Sequence, residues 1–259
     1  MAKIFYFTGT GNCYSVAKQL GKKLDADLVA VTKYLDNPVE INDSVVGIVT
    51  PVYSTDLPPI VVEFIEKIKI TNAKYVFCVA TMGAVAGRTL YHVKEILHKR
   101  GLTLDAGFTV ALPDNSIVFP SGRLRMHKLL EAEASAVNTI GDLILSRKKN
   151  SAAIKDFFGW QLAASVGMWS LKVIFDVNNK KVNQEKCNGC GICARVCPAG
   201  CIQMEGGYPN FKEGCLTCFG CAQWCPREAI TLGRLHPAGK TKYVHPGVTV
   251  NEITVREKL

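Results

Sequence analysis

Apolar runs and amphipathic stretches alternate along the first half of this chain. The apolar runs predict strands and lie at 3–8, 28–31, 45–50, 75–81 and 103–112. The amphipathic stretches predict helices and lie between them, at 14–24, 59–68 and 87–99. A regular alternation of strands and helices predicts a doubly wound α/β domain, in which helices cover both faces of a five-stranded parallel sheet.

Two helical patterns follow in the middle of the chain. Residues 122–149 carry an apolar stripe at helical spacing and end on basic residues, which predicts one long helix. Residues 157–175 form an apolar run of membrane-spanning length. Polar residues interrupt this run, and a single span would place the two halves of the chain on opposite sides of a membrane. We expect a helix buried between two domains; the alternatives are a surface that touches a membrane, a quinone or a hydrophobic substrate, and a true span.

Length and composition favour more than one domain. The chain has 259 residues, of which 48% are hydrophobic and 20% charged, as in a globular protein with a sizeable core. We divide it into a first domain at 1–120, a helical connector at 121–179, a cysteine-rich α+β domain at 180–234 and a tail at 235–259 that packs on the protein. The apolar run near the N-terminus is too short for a signal peptide, so we expect a cytoplasmic protein.

Eight of the eleven cysteines fall in two identical rows. The first row is Cys187, Cys190, Cys193 and Cys197, and the second is Cys215, Cys218, Cys221 and Cys225. Each row reads C-x2-C-x2-C-x3-C-P, and each cysteine of the second lies 28 residues after its counterpart in the first. This spacing is typical of a pair of [4Fe–4S] clusters, because thiolates are soft ligands that suit iron–sulfur. Zinc ribbons place a longer gap between two CxxC pairs, so the rows argue against zinc.

The remaining cysteines are Cys13, Cys78 and Cys201, an odd number that argues against a disulfide framework. We interpret Cys201 as a core residue and Cys13 as a small half-buried thiol rather than a redox-active one. Free thiols together with iron–sulfur ligands indicate a reducing compartment.

The first predicted strand leads directly into a glycine loop, Thr8-Gly9-Thr10-Gly11-Asn12-Cys13, which opens a predicted helix. A strand end, a tight turn and a helix N-terminus gather backbone N–H groups around one point and favour an anion. The dinucleotide fingerprint G-x-G-x-x-G is incomplete because Tyr14 stands at its last position, and the Walker G-K-S/T is absent. The loop therefore suits a mononucleotide phosphate, and the alternative is a glycine turn without a ligand.

The pattern Thr8-x-Thr10-Gly11-Asn12 resembles the phosphate loop of flavodoxins, which holds the phosphate of FMN. The cysteine rows look like those of a bacterial two-cluster ferredoxin. The whole chain resembles the flavodoxin–ferredoxin fusion proteins of anaerobic bacteria and archaea, the EFR family. One departure is Cys13, which stands where flavodoxins usually carry Ser or Thr, so that one hydroxyl donor is lost.

The resemblance implies that three loops contact FMN. In the loop after the third strand Tyr53 would stack on the flavin ring, and in the loop after the fourth strand Gly83 would let the backbone approach it. The fifth strand is followed by the loop Leu112-Pro113-Asp114-Asn115, near the flavin edge. The implied cofactor-binding residues are Thr8, Gly9, Thr10, Gly11, Asn12, Cys13, Pro51, Val52, Tyr53, Ser54, Thr81, Met82, Gly83 and Asn115.

The resemblance also implies how the cysteines are shared. In two-cluster ferredoxins the fourth cysteine of each row binds the other cluster. Cluster one would then be held by Cys187, Cys190, Cys193 and Cys225. Cluster two would be held by Cys215, Cys218, Cys221 and Cys197. Such crossing would make the two rows fold as one unit.

The net charge of the chain would be much lower once these cofactors are bound. With 31 basic and 22 acidic residues, the formal net charge of +9 would suggest a nucleic-acid partner. Each oxidised cluster with its thiolates contributes about −2 and the FMN phosphate about −2, which would leave about +3. Residues 180–259 carry 11 basic and 6 acidic side chains, so the excess lies beside the clusters. We interpret it as charge compensation and expect no nucleic-acid partner.

These features predict electron transfer between FMN and two [4Fe–4S] clusters, which would couple two-electron to one-electron steps. The alternatives are a flavin-dependent reductase of a small molecule or quinone, and a redox sensor without turnover. The expected partners are a ferredoxin, another oxidoreductase or a small-molecule acceptor. Contact of residues 157–175 with a membrane or a quinone, and formation of a homodimer, are left open. No histidine, aspartate or glutamate near the flavin loops stands out as a proton donor, so no catalytic residue is predicted.

The tail offers two further expectations. His236 and His245 each neighbour a proline, and we interpret both as surface-loop residues. The apolar residues at 248–250 and 253–255 predict either an edge strand or a segment that packs against the first domain.

Overall fold

The computed structural model of the chain describes residues 1–34, 40–156 and 159–254, except for the side chain of residue 240. At its centre is a five-stranded parallel sheet. Its strands are β1 (Ala2–Tyr6), β2 (Ala26–Ala30), β3 (Val45–Pro51), β4 (Tyr75–Met82) and β5 (Ala106–Ala111). The central strands β3 and β4 are apolar and buried along nearly their whole length, because helices cover both faces of the sheet. Two short strands, Glu40–Ile41 and Lys69–Ile70, pair in parallel outside this sheet.

The order of the strands is β2-β1-β3-β4-β5, and all neighbours are parallel. This is the flavodoxin-like order, in which the chain changes direction across the sheet between β1 and β3. Ligands of such sheets bind outside the carboxyl ends of the strands at this switch point. The predicted fold is confirmed, and each predicted strand end lies within three residues of the observed one.

Four helices form the two outer layers. One face of the sheet is covered by α1 and α4, where Val16 packs with Val137, and the other by α2 and α3, where Phe64 packs with Val93. The long predicted helix ends four residues early, because the chain turns at Arg147 with a φ of 52°. The helices are α1 (Asn12–Leu24), α2 (Pro59–Lys67), α3 (Thr89–Lys99) and α4 (Arg123–Leu145), and short 3-10 turns lie at Val31–Tyr34 and Ser151–Ala153.

The cysteine-rich domain consists of two hairpin-like strand pairs and two single-turn helices. The outer pair joins β6 (Lys180–Val182) to β9 (Ile230–Leu232), and the inner pair joins β7 (Ile202–Glu205) to β8 (Tyr208–Phe211), both antiparallel. The third cysteine of each row lies in one of the short helices, α6 (Ile192–Arg195) or α7 (Gly220–Gln223). Both rows contribute to one apolar core, so this α+β unit folds around its cysteines.

The apolar run in the middle of the chain forms α5 (Trp160–Val173). The prediction that this helix is buried was wrong, because Ala164 is its one buried residue. Its outward face carries Leu162, Val166, Trp169 and Val173, each more than half exposed. In the part of the chain that the structure describes, no helix is both long and apolar enough to cross a membrane. Residues 157 and 158, which belong to the same predicted run, lie outside the described residues.

The tail wraps back over the first domain. It contains a 3-10 turn at Gly239–Thr241 and the short helix α8 (Val250–Ile253), so of the two alternatives the described residues form no edge strand but pack against the first domain, while residue 255 lies outside the described part. Val248 and Ile253 pack with Trp224 of the cysteine-rich domain, and Tyr14 of α1 contacts the same group. His236 is exposed as expected. His245 is 5% exposed, so the surface-loop prediction was wrong for it.

Candidate cofactor sites

A cavity of ≈ 460 Å³ opens at the carboxyl ends of the sheet strands. The loops after β1, β3, β4 and β5 form its walls, as expected for a ligand at the topological switch point. Of the predicted cofactor-binding residues, Gly11 does not line it, because the tail covers that glycine. The others do line it, namely Thr8, Gly9, Thr10, Asn12, Cys13, Pro51, Val52, Tyr53, Ser54, Thr81, Met82, Gly83 and Asn115.

The glycine loop delivers the N-terminus of α1 to this cavity. Gly11 caps the helix with a φ of 102°, a conformation that favours glycine, and its N–H donates to Thr8 Oγ1 at 3.1 Å. No side chain caps α1, so its first backbone N–H groups remain available to an anion. A side chain at position 11 would also collide with His245, whose Cβ would lie 2.9 Å from the added Cβ. This geometry suits a phosphate group.

Polar side chains of the loop are held by bonds to other segments. Asn115 Nδ2 donates to Thr10 Oγ1 at 3.0 Å, and Asn12 Nδ2 donates to the Pro113 carbonyl at 2.9 Å. The Tyr243 hydroxyl of the tail donates to Asn12 Oδ1 at 2.7 Å. The loop is therefore oriented by the β5 loop on one side and by the tail on the other.

Cys13 is more deeply placed than the half-buried position expected from sequence. It is 1% exposed, and its Sγ lies 3.0 Å from Thr81 Oγ1. Burial raises the pKa of the Cys13 thiol to about 12, so the thiol stays protonated at neutral pH. A neutral, hydrogen-bonded thiol packs as a small apolar residue and is a poor redox group.

The turn after β3 is held in a constrained conformation. Tyr53 and Asp56 exchange two backbone hydrogen bonds of 2.8 and 2.9 Å, while Ser54 and Thr55 between them adopt φ values of 45° and 70°. Left-handed backbone is uncommon for such residues and often marks a functional loop. The Asp56 carboxylate accepts from Arg88 Nη1 at 3.1 Å and lies 2.8 Å from His92 Nδ1. This network keeps the Tyr53 turn against the cavity.

Asp114, in the loop expected near the flavin edge, lines the cavity beside Gly83, although no acidic residue was predicted as a proton donor. Its Oδ1 accepts from the Ser116 N–H at 2.7 Å, and burial raises the pKa of its carboxyl. Asp114 also lines a second cavity, of ≈ 640 Å³, together with Arg123 and Lys242. The signal in the sequence was its position directly after the fifth strand, where ligand-binding residues of α/β sheets cluster. The Asp114 carboxyl thus belongs to the walls of both cavities.

The eight row cysteines line two smaller cavities. One is lined by Cys187, Cys190, Cys193 and Cys225. The other is lined by Cys197, Cys215, Cys218 and Cys221. The fourth cysteine of each row thus faces the first three of the other row, which is the sharing implied by the resemblance to two-cluster ferredoxins.

The chemistry of these cavities fits iron–sulfur clusters. Among the described residues no three Cys, His, Asp or Glu side chains are close enough to hold a single metal ion, whereas a cluster needs its sulfur ligands farther apart. Burial raises the pKa of the Cys193 and Cys218 thiols to about 12, so cluster binding must displace their protons. Four cysteine side chains at each cavity are the ligand set that a [4Fe–4S] cluster takes.

Cys201 lies in the apolar core, as predicted, but it also lines the second cysteine cavity. Its Sγ is 3.6 Å from the Sγ of Cys197. Sequence reasoning missed this proximity, because the rows themselves provide a complete set of four ligands for each cluster.

The second cysteine cavity adjoins the larger one. Cys218 lines both cavities together with Thr217 and Phe219. A Cβ added at Gly9 would lie 2.7 Å from the Cys218 carbonyl oxygen, so this glycine lets the two loops touch. Trp224 Nε1 donates to the Gly9 carbonyl at 3.0 Å. The phosphate-type loop and the second cysteine row are thus in direct contact.

The inward face of α5 covers the large cavity. Gly167 approaches the turn after β3, and a Cβ added there would lie 2.9 Å from the Cβ of Ser54. This face combines small residues with Met168 and Leu171, whereas the exposed face of α5 carries Leu162, Val166, Trp169 and Val173. The residues of α5 that line the cavity are Ala163, Gly167, Met168, Ser170 and Leu171.

The tail is fastened to the glycine loop by a buried polar network that sequence reasoning missed. The His245 N–H donates to the Thr10 carbonyl at 2.8 Å. His245 Nδ1 accepts from the Gly247 N–H, so Nε2 carries the proton that is directed to Glu133 Oε2 at 2.8 Å. Burial acts to raise the pKa of Glu133, but hydrogen bonds from His245 and Ser15 outweigh it and hold that pKa below its ordinary value.

Comparison with known proteins identifies the cysteine-rich segment. The family model "4Fe-4S binding domain" matches residues 180–203. An uncharacterised ferredoxin of Methanocaldococcus jannaschii is 41% identical over 64 residues, which cover 23% of this chain and 83% of that protein.

Solved structures align with the first half of the chain. Two-electron reduced flavodoxin from Megasphaera elsdenii is 19% identical with a TM-score of 0.34, and the alignment covers 52% of this chain and all of that chain. A flavoprotein from Bacteroides eggerthii is 18% identical with a TM-score of 0.36, over 51% of this chain and 97% of that chain. The assignment of the flavodoxin-like fold rests on the strand order given above.

Proposed function

Through its cysteine-rich segment this chain belongs to the 4Fe–4S ferredoxins, fused here to a flavodoxin-like domain, and we propose that it transfers electrons between FMN and two [4Fe–4S] clusters. FMN would occupy the large cavity, with its phosphate at the N-terminus of α1. The two clusters would occupy the two cysteine cavities with crossed ligands. When bound, FMN exchanges electrons in pairs or singly and each cluster exchanges one, so the protein would couple the two kinds of redox step.

The observation that carries this proposal is the contact between Cys218 and Gly9. A Cβ added at Gly9 would lie 2.7 Å from the carbonyl oxygen of Cys218, so the residue that would bind the second cluster packs directly on the phosphate-type loop, and Cys218 also belongs to the wall of the large cavity. No intervening layer of protein separates the two sites. A protein that merely stored the cofactors would not need a glycine at this position.

The residues around the large cavity would position FMN and keep water from it. The Tyr53 turn, held by the Asp56 network, would lie against the flavin ring. The inward face of α5 would cover the ring from the other side. Exclusion of water strengthens the electrostatic effect of the surrounding dipoles and protects reduced flavin.

The first cluster would face the outside of the protein. Its ligand Cys190 is exposed, whereas Cys193 and Cys225 are buried. Cluster one would therefore exchange electrons with a redox partner protein such as a ferredoxin or another oxidoreductase, while cluster two would exchange them with FMN. Electrons would then pass in series between FMN, cluster two, cluster one and the partner protein.

A second function is favoured by Asp114. A carboxyl with a raised pKa in the wall of the large cavity is suited to deliver a proton to a reduced small molecule or quinone at the flavin. The protein would then be a reductase fed by the clusters. In that case Asp114→Asn should slow steady-state reduction of a benzoquinone about 100-fold while leaving FMN content unchanged, and an unaltered rate would exclude this role.

Anaerobic reconstitution tests the proposed function. The loaded chain should contain about eight iron atoms, about eight sulfides and about one FMN. Addition of a stoichiometric amount of reductant should then reduce both the clusters and the flavin of the same molecule. A chain that holds no FMN, or clearly fewer than eight irons, would contradict the proposal.

A further inference from the structure

One long side of α5 is apolar and faces away from the protein. Leu162, Val166, Trp169 and Val173 follow one another at intervals of four, three and four residues, which places them on one stripe of the helix. Leu162 is 69% exposed, and each of the others is more than half exposed. A surface helix normally turns such a stripe toward the core. The outward stripe therefore indicates a partner surface outside the chain.

Two further exposed apolar side chains lie at the large cavity. Phe119, in the segment after β5, is 77% exposed, and Val85, in the loop after β4, is also exposed. Both line the cavity together with the inward face of α5. The stripe of α5, Phe119 and Val85 together form what we call the outer apolar surface, which borders this cavity.

The charged side chains in the two longer segments that carry this surface are all basic. Residues 115–130, which surround Phe119, and residues 157–175, which include α5, contain no aspartate or glutamate. Arg125 donates to the carbonyl of Gly83, so the basic end of α4 lies beside the β4 loop. The exposed basic side chains of the two segments are Arg123, Arg125, Lys128 and Lys172.

The acidic residues that flank α5 are engaged with protein groups. Asp156, before the helix, lies 3.6 Å from Arg88 Nε, and Asp176, after it, accepts from Asn179 Nδ2 at 3.0 Å. The electrostatic character of the outer apolar surface is therefore set by its basic side chains. A surface of this kind complements a negatively charged partner.

The pattern along α5 favours a lipid bilayer over a protein partner. Gln161, Ser165 and Lys172 form a polar stripe beside the apolar one, and Trp169 lies within the apolar stripe. Helices that lie in the membrane interface combine Trp and Leu on one side with lysine or arginine on the other, whereas lysine is depleted from protein–protein interfaces. The 14 residues of α5 extend about 21 Å, which is less than the hydrocarbon core of a bilayer.

We propose that α5 lies in the plane of an anionic membrane, with Leu162, Trp169 and Phe119 directed into the boundary between headgroups and acyl chains. The basic side chains would contact lipid phosphates. Because Phe119 and Val85 line the large cavity, the rim of this cavity would face the lipid. This inference goes beyond the proposed function and does not depend on which cofactors are bound.

Flotation with lipid vesicles tests this inference on the full, cofactor-loaded chain. Wild type should bind vesicles that contain phosphatidylglycerol in phosphatidylcholine at about 0.1 M salt. It should bind vesicles of phosphatidylcholine alone about tenfold more weakly. The double variant Leu162→Gln, Trp169→Gln should bind the anionic vesicles about 100-fold more weakly, because two large apolar side chains no longer enter the lipid. Both residues are more than half exposed, so we expect the variant to fold as wild type does.

Leu145→Gln is the matched control. Leu145 is 57% exposed and ends α4, 23 residues long, whose first turn lies near the cavity. This variant should bind the anionic vesicles like wild type. A brominated lipid should quench the tryptophan fluorescence of wild type, and Trp169→Phe should lose most of that quenching, which would locate α5 in the lipid.

Several results would overturn the inference. They are absence of wild-type binding to the anionic vesicles, equal binding to both kinds of vesicle, equal loss in Leu145→Gln, and undiminished quenching in Trp169→Phe. A wild type that is a dimer without vesicles, beside a monomeric double variant, would assign the surface to a second copy of the chain and would overturn it as well. FMN and iron are measured in the same samples. Vesicle binding by a chain that lacks either cofactor would contradict the proposed function alone.

Discussion

The indole nitrogen of Trp224 donates a hydrogen bond to the carbonyl oxygen of Gly9, at 3.0 Å, across 215 residues of sequence. Trp224 follows the last helical turn of the second cysteine row, and Gly9 belongs to the phosphate-type loop. The bond is buried and lies beside the contact between Gly9 and Cys218. It fixes the separation of the two sites that the proposed electron transfer connects.

Trp224→Phe should weaken this junction. Phenylalanine retains most of the packing but leaves the Gly9 carbonyl without its donor, so the free energy of unfolding should fall by about 1–3 kcal/mol. Urea unfolding of the loaded protein measures the change. Trp169→Phe is the control, because Trp169 is 56% exposed on α5 and its replacement should have little effect. Equal losses in the two variants would mean that the bond to Gly9 does not stabilise the junction.

Gly9→Ala should force the two loops apart. The added Cβ would lie 2.7 Å from the Cys218 carbonyl and 3.1 Å from its Cβ, and crowding of this kind costs about 1–3 kcal/mol. We expect a lower thermal midpoint and slower electron transfer between flavin and cluster, with FMN still bound. Gly122→Ala is a suitable comparison, because nothing lies within 4 Å of a Cβ at that position and its backbone is extended. Normal transfer in Gly9→Ala would refute the importance of this contact.

Local sequence patterns predicted the elements and the ligands. The alternation of apolar runs and amphipathic stretches indicated the sheet, because burial on both faces leaves a direct mark on β3 and β4. The spacing of the first three cysteines in each row is that of ligands to one cluster, so Cys187 and Cys215 could be proposed as ligands without any tertiary information. These features depend on neighbours within a few residues.

Replacement of single cysteines tests the crossed ligands. Cys197→Ala should remove the cluster held with Cys218, and Cys225→Ala should remove the one held with Cys193, each lowering the iron content from about eight to about four atoms. Cys201→Ala is the matched control in the same cavity and should retain full iron. Iron analysis and electron paramagnetic resonance distinguish these outcomes. A fall of the iron content to about four atoms in Cys201→Ala would show that Cys201 is itself a cluster ligand.

Glu133→Gln should alter the pH dependence of stability. Hydrogen bonds hold the Glu133 pKa below 4.5 in the folded protein, so the carboxylate stabilises the tail fully above about pH 4.5 and loses this effect as the pH falls through the folded pKa. At pH 7 the variant should be about 1–3 kcal/mol less stable, because an amide cannot satisfy both His245 and Ser15. The difference from wild type should shrink below pH 4.5.

Urea unfolding at several pH values measures this difference, and acid effects common to both proteins cancel in it. Glu131→Gln serves as the control, since Glu131 is an exposed residue of the same helix. A gap between wild type and Glu133→Gln that stays constant down to pH 3 would show that the Glu133 carboxylate does not hold the tail.

Tertiary relationships account for the errors. The run that forms α5 is largely apolar and a membrane span was disfavoured, so burial between two domains was expected, whereas the helix covers a cavity with one face and exposes Trp169 on the other. The burial of His245 depends on Glu133, 112 residues away, and no local pattern carries that information. Asp114 was expected near the flavin edge but not as a proton donor, since its environment is formed by Gly83 and by a second cavity rather than by its neighbours in sequence.

Flash reduction of the flavin tests the central claim most directly. In the fully loaded protein under anaerobic conditions, the reduced-flavin absorbance should decay in step with bleaching of the cluster absorbance. The rate should be independent of protein concentration, because Cys218 and Gly9 hold both sites in one molecule. A decay whose rate rises in proportion to protein concentration, or a reduced flavin that persists beside oxidised clusters, would contradict transfer within the chain.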